Sequence, residues 1–251
     1  MTTNDVIKKN INIGVKPNVT FILPYLGEYS KVIDVIENIN RIFINLEKTF
    51  VIIDDGSKNK EFSRTLIKAN KYIVVRHETT KGFGACVNVG LRETKTKYAI
   101  IIHSDVKFFD KNCIINLLKE INKPEMNNVA VMSSVSNNPM AHEDILKRNQ
   151  AEDEPARIVD TSFLPLYCAC VNVRAFASIG GVPEFPYAWF EDEAVCAKLK
   201  KHGYNLAVCP SSYVYHQGMG TIKGLVNSQK DVLDVMKNNF NMLKIFIKDN
   251  T

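Results

Sequence analysis

The residue with the clearest chemical potential is Asp105, which follows the apolar run at 98–102 after only His103 and Ser104. A carboxylate at the end of a buried strand needs a partner for its charge, because low-dielectric protein lies on one side of it. Asp105 could cap the next helix, since Asp is a favoured N-cap residue. It could instead hold a divalent cation, because hard oxygen ligands suit Mg²⁺ and Mn²⁺. The residue alone does not choose between these two roles.

Asp54 and Asp55 form a second acidic site at the end of the apolar run 50–53, followed by Gly56 and Ser57. Residues of these types form turns for purely local reasons. Adjacent carboxylates at a binding edge can also accept hydrogen bonds from a base or ribose, as an acidic residue does in dinucleotide-binding folds. The sequence has no G-x-G-x-x-G after its first strand and no P-loop, which disfavours a dinucleotide enzyme and a P-loop kinase.

Glu191 and Asp192 form a third acidic pair, at the predicted start of a helix. Acidic residues stabilise helix N-termini, but one of this pair could also be a general base that takes a proton from a hydroxyl. His216 follows a strand-like run. A single histidine is more often structural than catalytic, so His216 gains weight only in combination with the acidic residues.

Alternating elements are needed to bring these residues together, and the hydrophobic pattern supplies them. Apolar, β-rich runs at 19–23, 50–53, 72–76 and 98–102 alternate with helical patterns. This order is typical of an α/β fold, a mostly parallel central sheet flanked by helices, in which ligands bind beyond the carboxyl ends of the strands. Three of these strands end on polar residues: Pro24-Tyr25, Asp54-Asp55 and Ser104-Asp105.

Beyond residue 110 the alternation is looser, although strands are predicted near 129–132 and 167–173. The polar stretch 133–155 between them is long for a structureless connection, and we expect a mobile loop that closes over a substrate. The tail 226–247 has an apolar face that packs on the core or on a partner, including a second copy of the chain.

Composition limits the functional classes. The chain has 251 residues, a net charge of +5 and a pI near 8.8, which suits an anionic small molecule better than nucleic acid. Six cysteines without C-x-x-C spacing indicate a reducing, cytoplasmic setting. No apolar run approaches the roughly 20 residues of a transmembrane helix, so no transmembrane segment is expected.

Taken together, the segments resemble the inverting nucleotide-diphospho-sugar glycosyltransferases of family 2, which have the GT-A fold. The resemblance covers about residues 18–220, and its motifs occur in the family's order. They are Pro24-Tyr25, Asp54-Asp55-Gly56-Ser57, the glycine- and asparagine-containing segment 81–90, His103-Ser104-Asp105-Val106 in the place of the Asp-x-Asp metal motif, and the acceptor-side segments 179–185 and 190–199.

The resemblance implies roles for individual residues. Asp192 would be the general base, with Glu191 shaping the site near the acceptor. Asp105 would hold Mn²⁺ or Mg²⁺ against the diphosphate, with His216 as a further metal ligand. Asp55 would contact the base. The nucleotide-binding set as a whole would comprise Pro24, Tyr25, Glu28, Asp54, Asp55, Lys81, Gly82, Asn88, Ser104 and Asp105.

Two departures from the family pattern matter. His103 occupies the first acidic position of the Asp-x-Asp motif, and it either binds the metal or points elsewhere. Tyr25 and Leu26 occupy the positions after the first proline where the family usually has Thr and Asn. The resemblance implies a metal-dependent, inverting transferase that uses a UDP-, dTDP- or GDP-sugar and a glycan, lipid-linked or protein acceptor. A sugar nucleotidyltransferase and a non-catalytic nucleotide-sugar-binding module are the alternatives.

The expected organisation is a leader at 1–17, a transferase domain at 18–222 and a C-terminal amphipathic helix at 223–251. The domain divides into a nucleotide-binding half, 18–106, and an acceptor-binding half, 107–222. Oligomerisation would use the C-terminal helix.

Overall fold

A computed structural model describes residues 19–27, 29–69, 71–137, 154–218 and 229–250. The predicted leader, Glu28 and most of the predicted loop at 133–155 lie outside these ranges. The elements in chain order are β1 (Val19–Tyr25), α1 (Tyr29–Ile42), β2 (Lys48–Asp54), α2 (Glu61–Ala69), β3 (Ile73–Arg76), α3 (Phe83–Glu93), β4 (Tyr98–Ile102), β5 (Val106–Lys107), α4 (Asn112–Ile121), β6 (Val129–Ser136), β7 (Arg157–Val159), β8 (Cys168–Asn172), α5 (Val173–Ser178), α6 (Glu191–Lys201), β9 (Asn205–His216) and α7 (Gln229–Asn250).

The described strands form one mixed sheet in the order β3-β2-β1-β4-β8-β6-β9-β5, with β7 paired to β9. The pairs β1–β2, β1–β4 and β2–β3 are parallel, as the alternating pattern predicts. Strand β8 is antiparallel to both β4 and β6, and β6 is parallel to β9. The predicted α/β architecture is therefore confirmed, and the acceptor half adds the antiparallel pairs.

The sheet is covered on both faces because side chains alternate along each strand. In β1, Phe21 and Leu23 pack with α1, whereas Ile22 packs on the opposite face with α3. In β4, Ile100 and Ile101 divide between the two faces in the same way. Burial on both faces explains why these strands are almost continuously apolar in sequence.

The strand register explains how polar residues from distant parts of the chain reach one edge. Tyr25 at the end of β1 pairs with Asp54 at the end of β2, which in turn pairs with Arg76 at the end of β3. His216 at the end of β9 pairs with Val106, one residue after Asp105. The carboxyl ends of β1, β2, β4 and β9 therefore meet at the same edge of the sheet.

Short strands were not predictable from the hydrophobic pattern. Strand β5 has 2 residues and β7 has 3, which is too short for a recognisable alternation. Among the described helices, none is both long enough and apolar enough to cross a membrane.

Candidate active site

Asp105 and His216 are in direct contact at the carboxyl edge of the sheet. Nε2 of His216 lies 3.2 Å from Oδ1 of Asp105, and both side chains are about nine-tenths buried. The backbone fixes this pair, because the amide of Gln217 donates to the carbonyl of Asp105 at 3.1 Å. The ring of His103 lies edge-on to that of His216, with 5.4 Å between centroids. Three residues that the sequence separates by up to 113 positions thus form one cluster.

The protonation states in this cluster suit a cation. Burial raises the pKa of Asp105, but the hydrogen bond from His216 and the charges of both histidines outweigh it and lower this pKa to about 2. Burial, together with the charge of His216, lowers the pKa of His103 to about 4. At neutral pH Asp105 is therefore an anion and His103 a neutral imidazole, which are the forms that bind metals.

Two buried ring nitrogens indicate that the cluster is incomplete without a further partner. Nε2 of His103 and Nδ1 of His216 are buried and have no hydrogen-bond partner among the described residues. One ligand atom from each of His103, Asp105 and His216 lies within 4.8 Å of the other two. Since a buried polar atom without a partner costs free energy, a metal ion bound by these three residues fits the site.

Asp55 lies in a different environment, in which main-chain donors hold both of its oxygens. Oδ1 accepts hydrogen bonds from the amide of Lys81 and from Nδ1 of His77, each at 2.8 Å, and Oδ2 accepts from the amide of Gly82 at 3.0 Å. Asp55, His77 and Cys86 also have metal-compatible spacing. Both oxygens of the Asp55 carboxylate thus have hydrogen-bond partners without an ion.

The other predicted nucleotide-binding residues differ from one another in burial and in their contacts. Asp54 is fully buried, and its carboxylate accepts a hydrogen bond from the amide of Ser57 at 2.8 Å. It also forms an ion pair with Arg76, so its charge is balanced by a neighbouring residue of the protein. Tyr25 is buried against Phe62. Pro24 is half-buried, Ser104 is buried and the Lys81 side chain is exposed; Glu28 is outside the described residues.

The glycine-containing segment 81–90 contacts the turn at 182–187. A Cβ atom on Gly82 would lie 2.4 Å from the carbonyl oxygen of Phe185, and the φ of Gly82 is +100°. The amide of Phe83 donates to the carbonyl of Tyr187 at 2.8 Å. Only glycine permits this close approach.

The side chain of Asn88 also contacts this turn, through three hydrogen bonds. Its Nδ2 donates to the Val182 carbonyl at 2.9 Å and to Glu184 at 3.0 Å, while its Oδ1 accepts from the Val182 amide at 2.8 Å. All of these contacts tie α3 to the acceptor-side turn. In this structure the Asn88 amide positions that turn, while its predicted contact with the nucleotide stays a prediction.

The segment that leads into α6 is strained. Tyr187, Trp189 and Phe190 have φ values of 65°, 83° and 73°, a region that residues with a Cβ atom rarely adopt. Each such residue costs about 1–3 kcal/mol and persists only when its surroundings enforce it. Strain of this kind, directly before a predicted catalytic residue, indicates that the segment is held in one conformation for a purpose.

Asp192 and Glu191 follow this segment but differ in surroundings. Asp192 is partly exposed, and its Oδ2 accepts from the amide of Leu166 at 3.2 Å. Burial, with the charge of Glu193, raises the pKa of Asp192 to about 7. Glu191 is only 2% exposed, and burial raises its pKa well above the usual range. Asp192 is thus poised to exchange a proton at neutral pH, whereas burial favours the uncharged form of Glu191.

Leu166 and Tyr167 connect the carboxylate of Asp192 to the metal-type cluster. The Leu166 amide donates to Asp192, and the next residue, Tyr167, stacks on His216 with ring centroids 4.6 Å apart. The Tyr167 carbonyl accepts from the amide of His103 at 2.9 Å. One short stretch of main chain therefore contacts both groups.

Several of these residues were not identified from sequence. Arg76 and His77 end the third apolar run at the same edge, and that position was a usable signal. Asn239 interrupts the apolar face of α7 and is completely buried, another signal that periodicity provides. Leu166 and Tyr167 carry no signal, because apolar residues before a buried strand are ordinary.

Solved structures show where this fold has been seen. The chain is similar to the mannosyltransferase PcManGT from Pyrobaculum calidifontis in complex with GDP-Man and Mn²⁺, with 18% identity, a TM-score of 0.64 and coverage of 89% of this chain and 63% of that one. It is also similar to GalNAc-T7 with UDP, GalNAc and Mn²⁺ (12% identity, TM-score 0.60, 80% and 44% coverage). A third neighbour is S. aureus TarS 1–349 (16% identity, TM-score 0.59, 79% and 60% coverage). The chain spans less than two thirds of the length of each.

Comparison with curated protein sequences gave no significant match. The family model described as glycosyl transferase family 2 matches residues 20–177, more than half of the chain. That stretch contains β1 to β8 with Asp55, Asp105 and their supporting residues. The sheet, the polar edge and this match agree, and the chain belongs to glycosyl transferase family 2.

Proposed function

We propose that this chain transfers a sugar from a nucleotide-diphosphate donor to an acceptor hydroxyl, with inversion at the anomeric carbon. The observation that carries this proposal is the connection through Leu166 and Tyr167 between a metal-type cluster and a carboxylate that titrates near neutral pH. Breaking a sugar–diphosphate bond requires stabilisation of the leaving group on one side and deprotonation of the nucleophile on the other. The site offers a group for each task.

His103, Asp105 and His216 would hold the cation, and Mn²⁺ fits them best. When bound, the cation would neutralise the negative charge that develops on the departing diphosphate. Mg²⁺ prefers an all-oxygen, octahedral set, whereas imidazole ligands favour transition metals. The structures of PcManGT and GalNAc-T7 both contain Mn²⁺.

Asp192 would act as the general base. Its Oδ2 is fixed by the Leu166 amide, and no hydrogen bond to its Oδ1 is found within the described ranges. Oδ1 can therefore accept the proton of an acceptor hydroxyl as that oxygen attacks the sugar. With Asp192 acting as the base and the acceptor oxygen as the nucleophile, displacement would be direct and would invert the anomeric centre.

The nucleotide would lie along the edge formed by Pro24, Asp55 and Lys81. Main-chain donors fix the Asp55 carboxylate in place, which makes it a rigid acceptor for the N–H groups of a base. The exposed ammonium group of Lys81 could pair with a phosphate. All six cysteines are buried free thiols, which supports the cytoplasmic setting that we propose.

The direct test is release of nucleoside diphosphate from UDP-, GDP- and dTDP-sugars in the presence of Mn²⁺ and a mixture of glycan, lipid-linked and peptide acceptors. The proposal requires release from at least one donor, and this release should depend on an acceptor. No release from any donor, with or without a divalent cation, would contradict it.

The pKa of Asp192 predicts the pH dependence of transfer. The active form of a base is deprotonated, so kcat/KM for the acceptor should rise with pH through about 7 and level off above it. The rate at pH 6 should be about tenfold below that at pH 8. Measuring Mn²⁺ affinity over the same range separates this effect from the metal site. A flat rate profile would show that Asp192 is not the base.

The histidine in the metal motif predicts the metal preference. The wild-type enzyme should be roughly tenfold more active with Mn²⁺ than with Mg²⁺, because His103 and His216 supply nitrogen ligands. His103→Asp should narrow this ratio by offering a second carboxylate. Initial rates across titrations of each metal measure the ratio, and an unchanged ratio in the variant would exclude His103 as a ligand.

A further inference from the structure

The strained segment 186–190 is held from two sides. On the side of the nucleotide-binding half, the Phe83 amide donates to the Tyr187 carbonyl at 2.8 Å. On the other side, Nδ2 of Asn239 donates to the carbonyls of Pro186 and Ala188, each at 2.9 Å. Asn239 belongs to α7, the C-terminal helix, which packs on α6. Two elements distant in sequence thus fix the backbone that precedes Asp192.

The orientation of the Asn239 amide is determined by these contacts. Its Nδ2 faces two carbonyl oxygens, so a flipped amide would place Oδ1 against both of them. Asn239 is completely buried, and its Oδ1 has no hydrogen-bond partner among the described residues. An amide with an unpaired oxygen is a poor way to fill an apolar cluster, because burial without a partner is unfavourable. The two donations to the segment are what this side chain contributes.

The surroundings of Asn239 are otherwise apolar. Leu243 on the same helix packs with Phe185 and Ala194, and the ring of Phe240 lies 5.6 Å from that of Phe190. These contacts hold α7 against the segment but do not specify the conformation of its backbone. Hydrogen bonds to two carbonyls on either side of Tyr187 do specify it, since they require both to point at one amide.

We propose that Asn239 is a positioning residue for sugar transfer, which keeps Tyr187, Trp189 and Phe190 in their left-handed conformations and so sets the place of Asp192 and of the acceptor. This role rests on the proposed function, because it concerns the transfer step. Asn239 acts through the backbone of Pro186 and Ala188 and makes none of the hydrogen bonds that hold Asp55. Its loss should therefore affect acceptor use and turnover rather than donor binding.

The sequence provides a direct probe of this segment. Trp189 is the only tryptophan in the chain, so intrinsic fluorescence and its quenching by acrylamide report on the segment alone. Asn239→Leu keeps the branched shape and suits the apolar cluster, but removes both donated hydrogen bonds. Asn238→Leu is the matched control, because Asn238 is exposed on the next position of the same helix.

We expect Asn239→Leu to lower kcat roughly 10–100-fold, since a misplacement of about 1 Å can cost this much. Acrylamide quenching of Trp189 should increase, while the affinity for nucleoside diphosphate stays within about twofold of wild type. Asn238→Leu should match wild type in all three measurements. Phe240→Ala, which removes the contact with Phe190, should produce a smaller change in the same direction and serves if Asn239→Leu folds poorly.

The outcomes separate the two proposals. Unchanged turnover and quenching in Asn239→Leu would overturn the positioning role and leave the proposed function intact. A loss of turnover without any change at Trp189 would also overturn it, because the effect would not pass through the segment. Absence of transfer by the wild-type chain with every donor would instead overturn the proposed function.

Discussion

Asp192→Asn should lower kcat roughly 10²–10⁴-fold while the donor still binds. Asparagine preserves the shape of the side chain and can keep an oxygen opposite the Leu166 amide, so the fold and the α6 terminus should persist. It cannot accept the proton of an acceptor hydroxyl. Steady-state rates, with nucleoside diphosphate affinity measured by calorimetry, test this expectation.

Two neighbours provide matched controls for Asp192→Asn. Glu191→Gln should retain most of the activity, because burial raises the pKa of Glu191 and so favours its uncharged form, which glutamine matches in shape. Glu193→Gln should also be active, but its rate profile should shift to lower pH, since the charge of Glu193 helps to raise the pKa of Asp192. Normal turnover by Asp192→Asn would show that Asp192 is not the general base.

Asp105→Asn should lower kcat/KM by about 10³-fold or more. A cation is worth several kcal/mol to a departing diphosphate, and each 1.36 kcal/mol is a factor of ten in rate. Asp105 is the only carboxylate among the three residues of the metal-type cluster, so its loss leaves two imidazole rings and no anionic ligand. Mn²⁺ affinity, measured by calorimetry or by electron paramagnetic resonance, should fall in parallel.

The control for this variant is Asp110→Asn. Asp110 is an exposed carboxylate in the same stretch of chain, and its Oδ1 accepts from the amide of Asn112. It should have wild-type Mn²⁺ affinity and turnover. If Asp105→Asn kept full Mn²⁺-dependent activity, the cation would have to bind elsewhere, and the proposed assignment would be wrong.

The position of the polar edge was predictable from sequence for a clear physical reason. Strands β1, β2 and β4 are apolar because both faces of the sheet are covered, so a polar residue marks where each strand ends. Parallel strands then bring Asp54 and Asp105 to one edge without any further information. The alternation along the chain determined the fold class by the same logic.

The partner of each polar side chain at that edge could not be predicted from the sequence. Asp54 and Asp55 are adjacent, yet one pairs with Arg76 and the other with the amides of Lys81 and Gly82. Asn88 belongs to a motif that suggested a nucleotide contact, but its amide is used by Val182 and Glu184. These partners depend on which loop lies beside each side chain in the fold. Hydrophobic periodicity predicts helices and strands but not the positions of the loops between them.

The left-handed conformations of Tyr187, Trp189 and Phe190 could not be predicted from the sequence either. Tyr, Trp and Phe favour negative φ, so local preference argues against the observed backbone. Contacts from Phe83 and Asn239, which are distant in sequence, impose it. Tertiary contacts override local preference here, next to the residue that we propose as the base.

The peptide that joins Leu166 to Tyr167 fixes a distance within the proposed active site. Leu166 contacts Asp192 through its amide, and Tyr167 contacts His103 through its carbonyl, so the backbone sets the distance between the base and the metal site that we propose. Changes in side chains around the pocket can alter which sugar or acceptor enters while this distance stays constant. A bisubstrate inhibitor for this chain would accordingly need one defined linker length between its diphosphate mimic and its acceptor oxygen.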